Sequence, residues 1–181
     1  MIIIKMTNHD FDLLPYQDVS LKCFNPLIKI YKSRVTEAAN GNHTVIKENF
    51  YKELNEGQRA LFMFYTFYNH ACKSILEFYW WSAYFMAQPK SWSAIKAGVK
   101  FFDDEAFLRL LEDIELELKR HHHPVTLEQF HVTRDDLGRN QQLKSAIDSL
   151  YISFEKTSPL SINKINNYIE QNIQQFISIQ N

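Results

Sequence analysis

The stretch Gly57–Gln88, GQRALFMFYTFYNHACKSILEFYWWSAYFMAQ, decides how the rest of the chain is read. Eleven of the 26 aromatic residues fall inside it: Phe62, Phe64, Tyr65, Phe67, Tyr68, Phe78, Tyr79, Trp80, Trp81, Tyr84 and Phe85. No other segment carries as much apolar surface, so the remaining elements must pack around it. Asn69, His70, Lys73, Ser74 and Glu77 interrupt the apolar run. A membrane span needs about 20 apolar residues, and Lys73 or Glu77 in hydrocarbon would each be costly. The stretch therefore reads as a core helix from about Glu56 to Gln88, either continuous or broken near Lys73-Ser74 into two nearly collinear pieces, enclosed by neighbours on most faces.

Working towards the N-terminus, Asn55 caps this helix, and Gln58 three residues later reaches back in a capping box. A shorter helix covers Val45–Leu54 with a stripe of Ile46, Phe50 and Leu54, capped by Thr44 or a near neighbour. Before it, Asn25 as N-cap and Pro26 at the first helical position begin a helix whose apolar face is Leu27, Ile30, Tyr31, Val35 and Ala38, stopped by Asn40-Gly41. Residues 1–24 read as an irregular segment, with a short strand at Met1–Met6 that has no evident partner.

Towards the C-terminus, Ser91 caps a helix over Trp92–Phe102. Asp103 caps another to about Arg120, with Phe107, Leu110, Leu111, Ile114 and Leu118 on one face. Its acidic start and basic end suit the helix dipole. Val125–Arg139 is a connection with a short helix at Leu127–His131. Asn140 then caps a helix to about Lys156, Thr157-Ser158-Pro159 breaks it, and Ser161 begins a C-terminal amphipathic helix over 161–181 striped by Ile162, Ile165, Ile169, Ile173 and Phe176. The expected fold is an all-α, single-domain helical bundle, residues 1–181, of about six to eight helices around a central aromatic-rich helix.

Composition narrows the function. The 45% hydrophobic and 23% charged fractions are those of a soluble globular protein. With 20 basic and 21 acidic residues the chain has no general basic excess, so neither nucleic acid nor a membrane surface is an expected partner. Cys23 and Cys72 read as two buried, reduced thiols. The opening MIIIKMTNHD lacks the apolar run of a signal peptide, so the cytoplasm is the expected compartment.

Several residues have the chemistry of a site. His70 and Glu77 on one buried face would bind a ligand or move a proton, with Tyr68, Trp80 and Trp81 lining an aromatic pocket. Glu128-x-x-His131 has the spacing used by carboxylate-bridged metal sites in bundles, although no second copy exists. His121-His122-His123 offers imidazoles, but adjacent helical residues point about 100° apart, so His121 and His123 do not naturally face one ion. The acidic series Glu112, Asp113, Glu115 and Glu117 reads as a solvated face. No Gly-rich phosphate loop, Cys-x-x-Cys, His-Glu-x-x-His or Gly-x-Ser-x-Gly occurs.

The block LNEGQRALFMFYTFYNHACKSILEFYWWSAYF from Leu54, followed by WSAIKAGVKFFDDEAFLRLLEDIE, resembles a bacterial family of helical domains of unknown function that includes a DNA-mimic protein. The likeness covers about a third of the chain and implies an all-α domain with a non-enzymatic role. Where that family has an Asn-Gly-Gly turn this chain has Asn69-His70-Ala71, and it lacks the acidity that DNA mimicry requires, so no functional residue carries over. The leading expectation is a non-enzymatic protein-binding or regulatory module whose partner is another protein or a second copy, with no cofactor. The alternatives are a metal-dependent enzyme or sensor, which would take a divalent metal at the histidines and glutamates above, and a small-ligand receptor with an aromatic pocket.

Overall fold

Eight α-helices account for most of the described residues: α1 (Val19–Glu37), α2 (His43–Glu53), α3 (Glu56–Ala71), α4 (Ile75–Met86), α5 (Pro89–Phe101), α6 (Glu105–Arg120), α7 (Asp136–Arg139) and α8 (Gln141–Gln171). The structure is a computed structural model and describes residues 2–7, 19–38 and 43–180. The all-α class expected from the helical stripes is what it shows. Two four-residue strands, β1 (Ile4–Thr7) and β2 (Ile177–Gln180), pair in parallel with Ile4 opposite Ile177. No described helix is long and apolar enough to cross a membrane. The chain divides into two compact units, Met1–Phe62 with Ile162–Asn181, and Met63–Ser161.

The aromatic stretch breaks once, between α3 and α4. Ser74 takes an extended backbone, and its hydroxyl accepts the Glu77 N–H at 3.2 Å, so Ser74 and not an uninterrupted helix sets the start of α4. The spacing Ser74-x-x-Glu77 is that of a capping box.

The first unit has a core of rings from Phe24, Tyr31, Phe50 and Phe62, with centroids 5.0–5.9 Å apart. Its first helix begins six residues before the expected cap at Asn25, and Pro26 lies inside it. A distant side chain serves its first turn: the Ser20 N–H donates to Oδ1 of the fully buried Asn166 at 3.0 Å. Residues 1–24 are accordingly not irregular throughout, because β1 and the first turn of α1 fall inside them. The expected stop at Asn40-Gly41 and the cap position of α2 lie outside the described residues.

The expected C-terminal helix over 161–181 is also corrected. Its first part belongs to α8, which ends at Gln171, and a 3-10 turn (Ile173–Gln175) leads into β2. β1 thus has the partner its sequence did not disclose. The start of α3 holds both terminal strands. The Asn55–Gln58 capping box forms as expected, with the Gln58 N–H donating to Asn55 Oδ1 at 2.8 Å and the Asn55 N–H to Gln58 Oε1 at 3.2 Å. The remaining amide protons of the same pair reach out, Asn55 Nδ2 to the Gln175 carbonyl at 2.6 Å and Gln58 Nε2 to the Ile2 carbonyl at 3.0 Å. Gly57 is needed here, since a Cβ would lie 2.8 Å from Cζ of Phe176. Ile165, Ile169 and Phe176 are buried in this unit, so the C-terminal stripe covers core.

The second unit is centred on Phe64, Phe67, Phe78, Phe107 and Phe154, all at most 2% exposed. Phe154 on α8 meets Phe67, Phe78 and Phe107 with centroids at 6.2, 5.1 and 5.9 Å. Such ring pairs contribute about 0.5–1.5 kcal/mol each beyond their burial. α8 does not break at Thr157-Ser158-Pro159. Ser158 Oγ donates to the Phe154 carbonyl at 2.6 Å, and Phe154, Ser158 and Ser161 are buried on either side of the proline, whose own ring is exposed. Their packing outweighs one missing backbone bond.

α5 starts at Pro89, at the position that tolerates proline, and not at a Ser91 cap. α5 ends in a left-handed residue without glycine: Asp103 has φ 53°, its N–H bonds the Lys100 carbonyl, and the Asp104 N–H bonds that of Val99. Asp104, one residue beyond the expected Asp103, then caps α6 through the Phe107 N–H.

Candidate functional site

α4 has two aromatic faces. Phe78, Tyr79, Ser82, Ala83, Phe85 and Met86 are buried, while Glu77, Trp80, Trp81 and Tyr84 are half-buried. On the second face Trp80 stacks on Tyr84 (centroids 5.0 Å, planes 10° apart) and meets Trp81 edge-on at 4.8 Å. The imidazole of His70, from the last turn of α3, stacks on Trp81 at 3.7 Å.

Glu77 organises the polar side of this face. It accepts the Trp81 indole N–H at 2.8 Å and a two-pronged bond from Arg134, at 2.5 and 2.8 Å. These bonds, Arg134 first, hold its carboxyl below the usual range against the opposing effect of burial. The Arg134 guanidinium also lies 4.6 Å from the centroid of Trp80, a cation–π contact. Trp80 donates its indole N–H to the Val132 carbonyl at 3.0 Å, and Phe130 meets Trp80 and Tyr84 edge-on at 5.7 and 5.5 Å. One short segment, residues 130–134, therefore supplies everything these contacts need from outside α3 and α4.

The expected site is reassembled by these facts. His70, Trp81 and Glu77 do come together, but through the indole and not by direct proton exchange on one helix. Tyr68 belongs elsewhere, stacked on Phe64 at 5.7 Å and beside Phe154 at 6.0 Å. Arg134 and Phe130 were not expected. Tyr84 was legible, being four residues from Trp80 on a helix. Arg134 has no local signal, because it lies 57 positions from its carboxylate.

The histidine run divides into three environments. His121 Nε2 is 3.2 Å from Glu117 Oε1. His122 has φ 56° and ends α6 as Asp103 ends α5, with its N–H on the Lys119 carbonyl and that of His123 on Leu118. His123 is half-buried. Its Nδ1 lies 3.1 Å from the Leu118 carbonyl and so carries the proton, which leaves Nε2 to accept from the Tyr79 hydroxyl at 2.8 Å. Burial lowers the His123 pKa and raises that of Tyr79, and the nearby Asp136 charge adds to the second effect while opposing the first.

Glu128 and His131 do not share a helix face: Glu128 is in a three-residue 3-10 turn, and His131 beyond it places Nδ1 2.7 Å from the Gln129 carbonyl. Among the described residues no three His, Cys, Asp or Glu side chains group as metal ligands. Glu115 departs from the expected solvated acidic face. Burial would raise its pKa, but hydrogen bonds from Lys119 and Lys96 at 2.6 Å and from Trp92 at 2.8 Å bring it down to about 2.

Open grooves among the described residues lie beside other side chains. One of about 760 Å³ in the second unit is lined by Glu117, Arg120, His121, His122 and Asn140. One of about 460 Å³ in the first unit is lined by the terminal strands with Asn55, Gln58 and Phe176. Neither has Tyr68, Trp80 or Trp81 in its walls. Comparisons of the chain with protein-family models, curated proteins and solved structures found no match.

Proposed function

We propose that the protein is a non-enzymatic binding module and that the outer face of α4 is where it engages a protein partner. The observation that carries this reading is the incomplete burial of Trp80, Trp81 and Tyr84 beside Arg134. Tryptophan, tyrosine and arginine dominate the energetics of protein interfaces, because they combine large rigid apolar area with one polar handle. Here Glu77 holds Trp81 and Arg134, and the Val132 carbonyl holds Trp80, so little conformational entropy of these three side chains remains to be lost on binding. Leu76, one turn before Trp80 on the same helix, is 44% exposed and extends the apolar surface.

The test is affinity capture on the immobilised full chain from an extract of its native cells, comparing wild type with Leu76→Glu and with Leu160→Glu, a control at another exposed leucine. A specific partner, or the chain itself, is expected to be retained by wild type and by the control and to lose about 30-fold in affinity with Leu76→Glu, the size of a typical hot-spot loss. Equal retention by both variants overturns the reading.

A further inference from the structure

We infer that residues 130–134 are a built-in occupant of the α4 face, and that the partner presents an extended segment of the same chemistry: an aromatic, an aliphatic and an arginine at alternate positions. This rests on the binding role proposed above and names the class of partner.

The segment has the alternation of an extended chain lying on a surface. Phe130 is half-buried, His131 exposed, Val132 buried, Thr133 exposed and Arg134 half-buried. It belongs to no helix or strand. Each inward position meets a feature of α4. Phe130 has the edges of Trp80 and Tyr84, the Val132 carbonyl has the Trp80 indole N–H, and Arg134 has the Glu77 carboxylate and the face of Trp80. Aromatic pocket, indole donor and carboxylate are the elements by which a groove reads an extended peptide.

The segment is held at its ends by other means. Pro124 and Leu137 are buried on either side of it, and Thr133 donates its N–H to Asp136 at 2.7 Å. Lifting 130–134 breaks the bonds between Thr133 and Asp136 at the start of α7 but no hydrogen bond within a longer helix or a strand, and chain outside such elements is where local opening is cheapest. A partner segment that takes its place gains the same contacts. Its apparent affinity is reduced by the fraction of time the face is covered, so loosening the internal segment must tighten external binding.

The experiment uses the full chain and a capped five-residue peptide carrying residues 130–134. Binding is followed by Trp fluorescence and calorimetry for wild type and for Phe130→Ser/Arg134→Ser. The peptide is expected to bind the double variant at least tenfold more tightly than wild type, and a peptide with glutamate in place of arginine is expected not to bind. Equal affinity for both proteins, or no binding to a double variant whose circular dichroism and unfolding remain cooperative, overturns the inference. Should the double variant not fold, exchange of the Trp80 indole proton in wild type decides. Exchange through local opening, insensitive to low denaturant, supports the inference, and exchange only through global unfolding overturns it. If Leu76→Glu abolishes partner capture while the peptide fails to compete, the binding role stands and this occupant model alone falls.

Discussion

The two faces of α4 are built from the same residue types and end in different states. Phe78 and Phe85 on one side touch other rings and need nothing polar, and they are at most 4% exposed. On the other side Trp80 and Trp81 bring indole N–H groups that need acceptors, which they find in the Val132 carbonyl and in the Glu77 carboxylate, itself only partly buried. Aromatic rings thus reach the core when they carry no polar group or, like Tyr79, when that group has a partner close by. On the outer face of α4 the indoles and Glu77 make a surface that is ordered and incompletely closed.

The largest expected effect breaks the closed face. Phe154→Ala removes a ring shared by Phe67, Phe78 and Phe107 and is expected to cost about 3–5 kcal/mol in denaturant unfolding. A loss below about 1 kcal/mol would mean that this face is not the centre of its unit. Next, Tyr79→Phe tests the one polar tie of the closed face and should cost about 1 kcal/mol, the net worth of its bond to His123.

That tie has a pH signature. Because burial lowers the folded-state pKa of His123, the unfolded chain binds the proton more readily once the pH drops below about 6.5. Stability from this group is therefore full above that pH and is lost as the pH falls towards the folded value. Thermal midpoints recorded from pH 7 to pH 5 should decline less in His123→Gln than in wild type, and parallel declines would remove His123 as the cause.

A smaller effect has the opposite sign. His122→Gly relieves the left-handed backbone at the end of α6 and should stabilise by about 0.5–1 kcal/mol, seen as a raised denaturant midpoint. The smallest effect is on the open face. Arg134 and Glu77 are 41% and 25% exposed, so Arg134→Ser should change stability by no more than about 1 kcal/mol. A loss as large as that of Phe154→Ala would erase the distinction between the two faces.

Much of the fold was legible because its signals are local. The stripe of Phe107, Leu110, Leu111, Ile114 and Leu118 located α6, and Asn55–Gln58 and Asn140 were capping residues where expected, the last accepting the Leu143 N–H at 3.0 Å. Ser74-x-x-Glu77 is the local signal that turns the break left open near Lys73-Ser74 into a helix start. The ends of α5 and α6 were harder to read, because Asp103 and His122 occupy positions that usually announce themselves as glycine. The candidate site was half visible: His70, Glu77, Trp80 and Trp81 converge, yet the groups that complete their polar contacts come from 130–134.

Helical periodicity, caps and the concentration of rings in Gly57–Gln88 were enough by themselves to determine an all-α protein with aromatic centres, since each depends on residues within a turn or two of one another. Only the tertiary structure decided that α1 begins at Val19, that α8 passes through Pro159, that β1 pairs with β2 and that Glu77 belongs to Arg134. Each of these depends on a partner far away in the chain, whether Asn166, a buried face, the C-terminal strand or an arginine 57 residues on. Local propensity has no term for such a partner, and its presence is enough to reverse a preference worth one hydrogen bond or one cap.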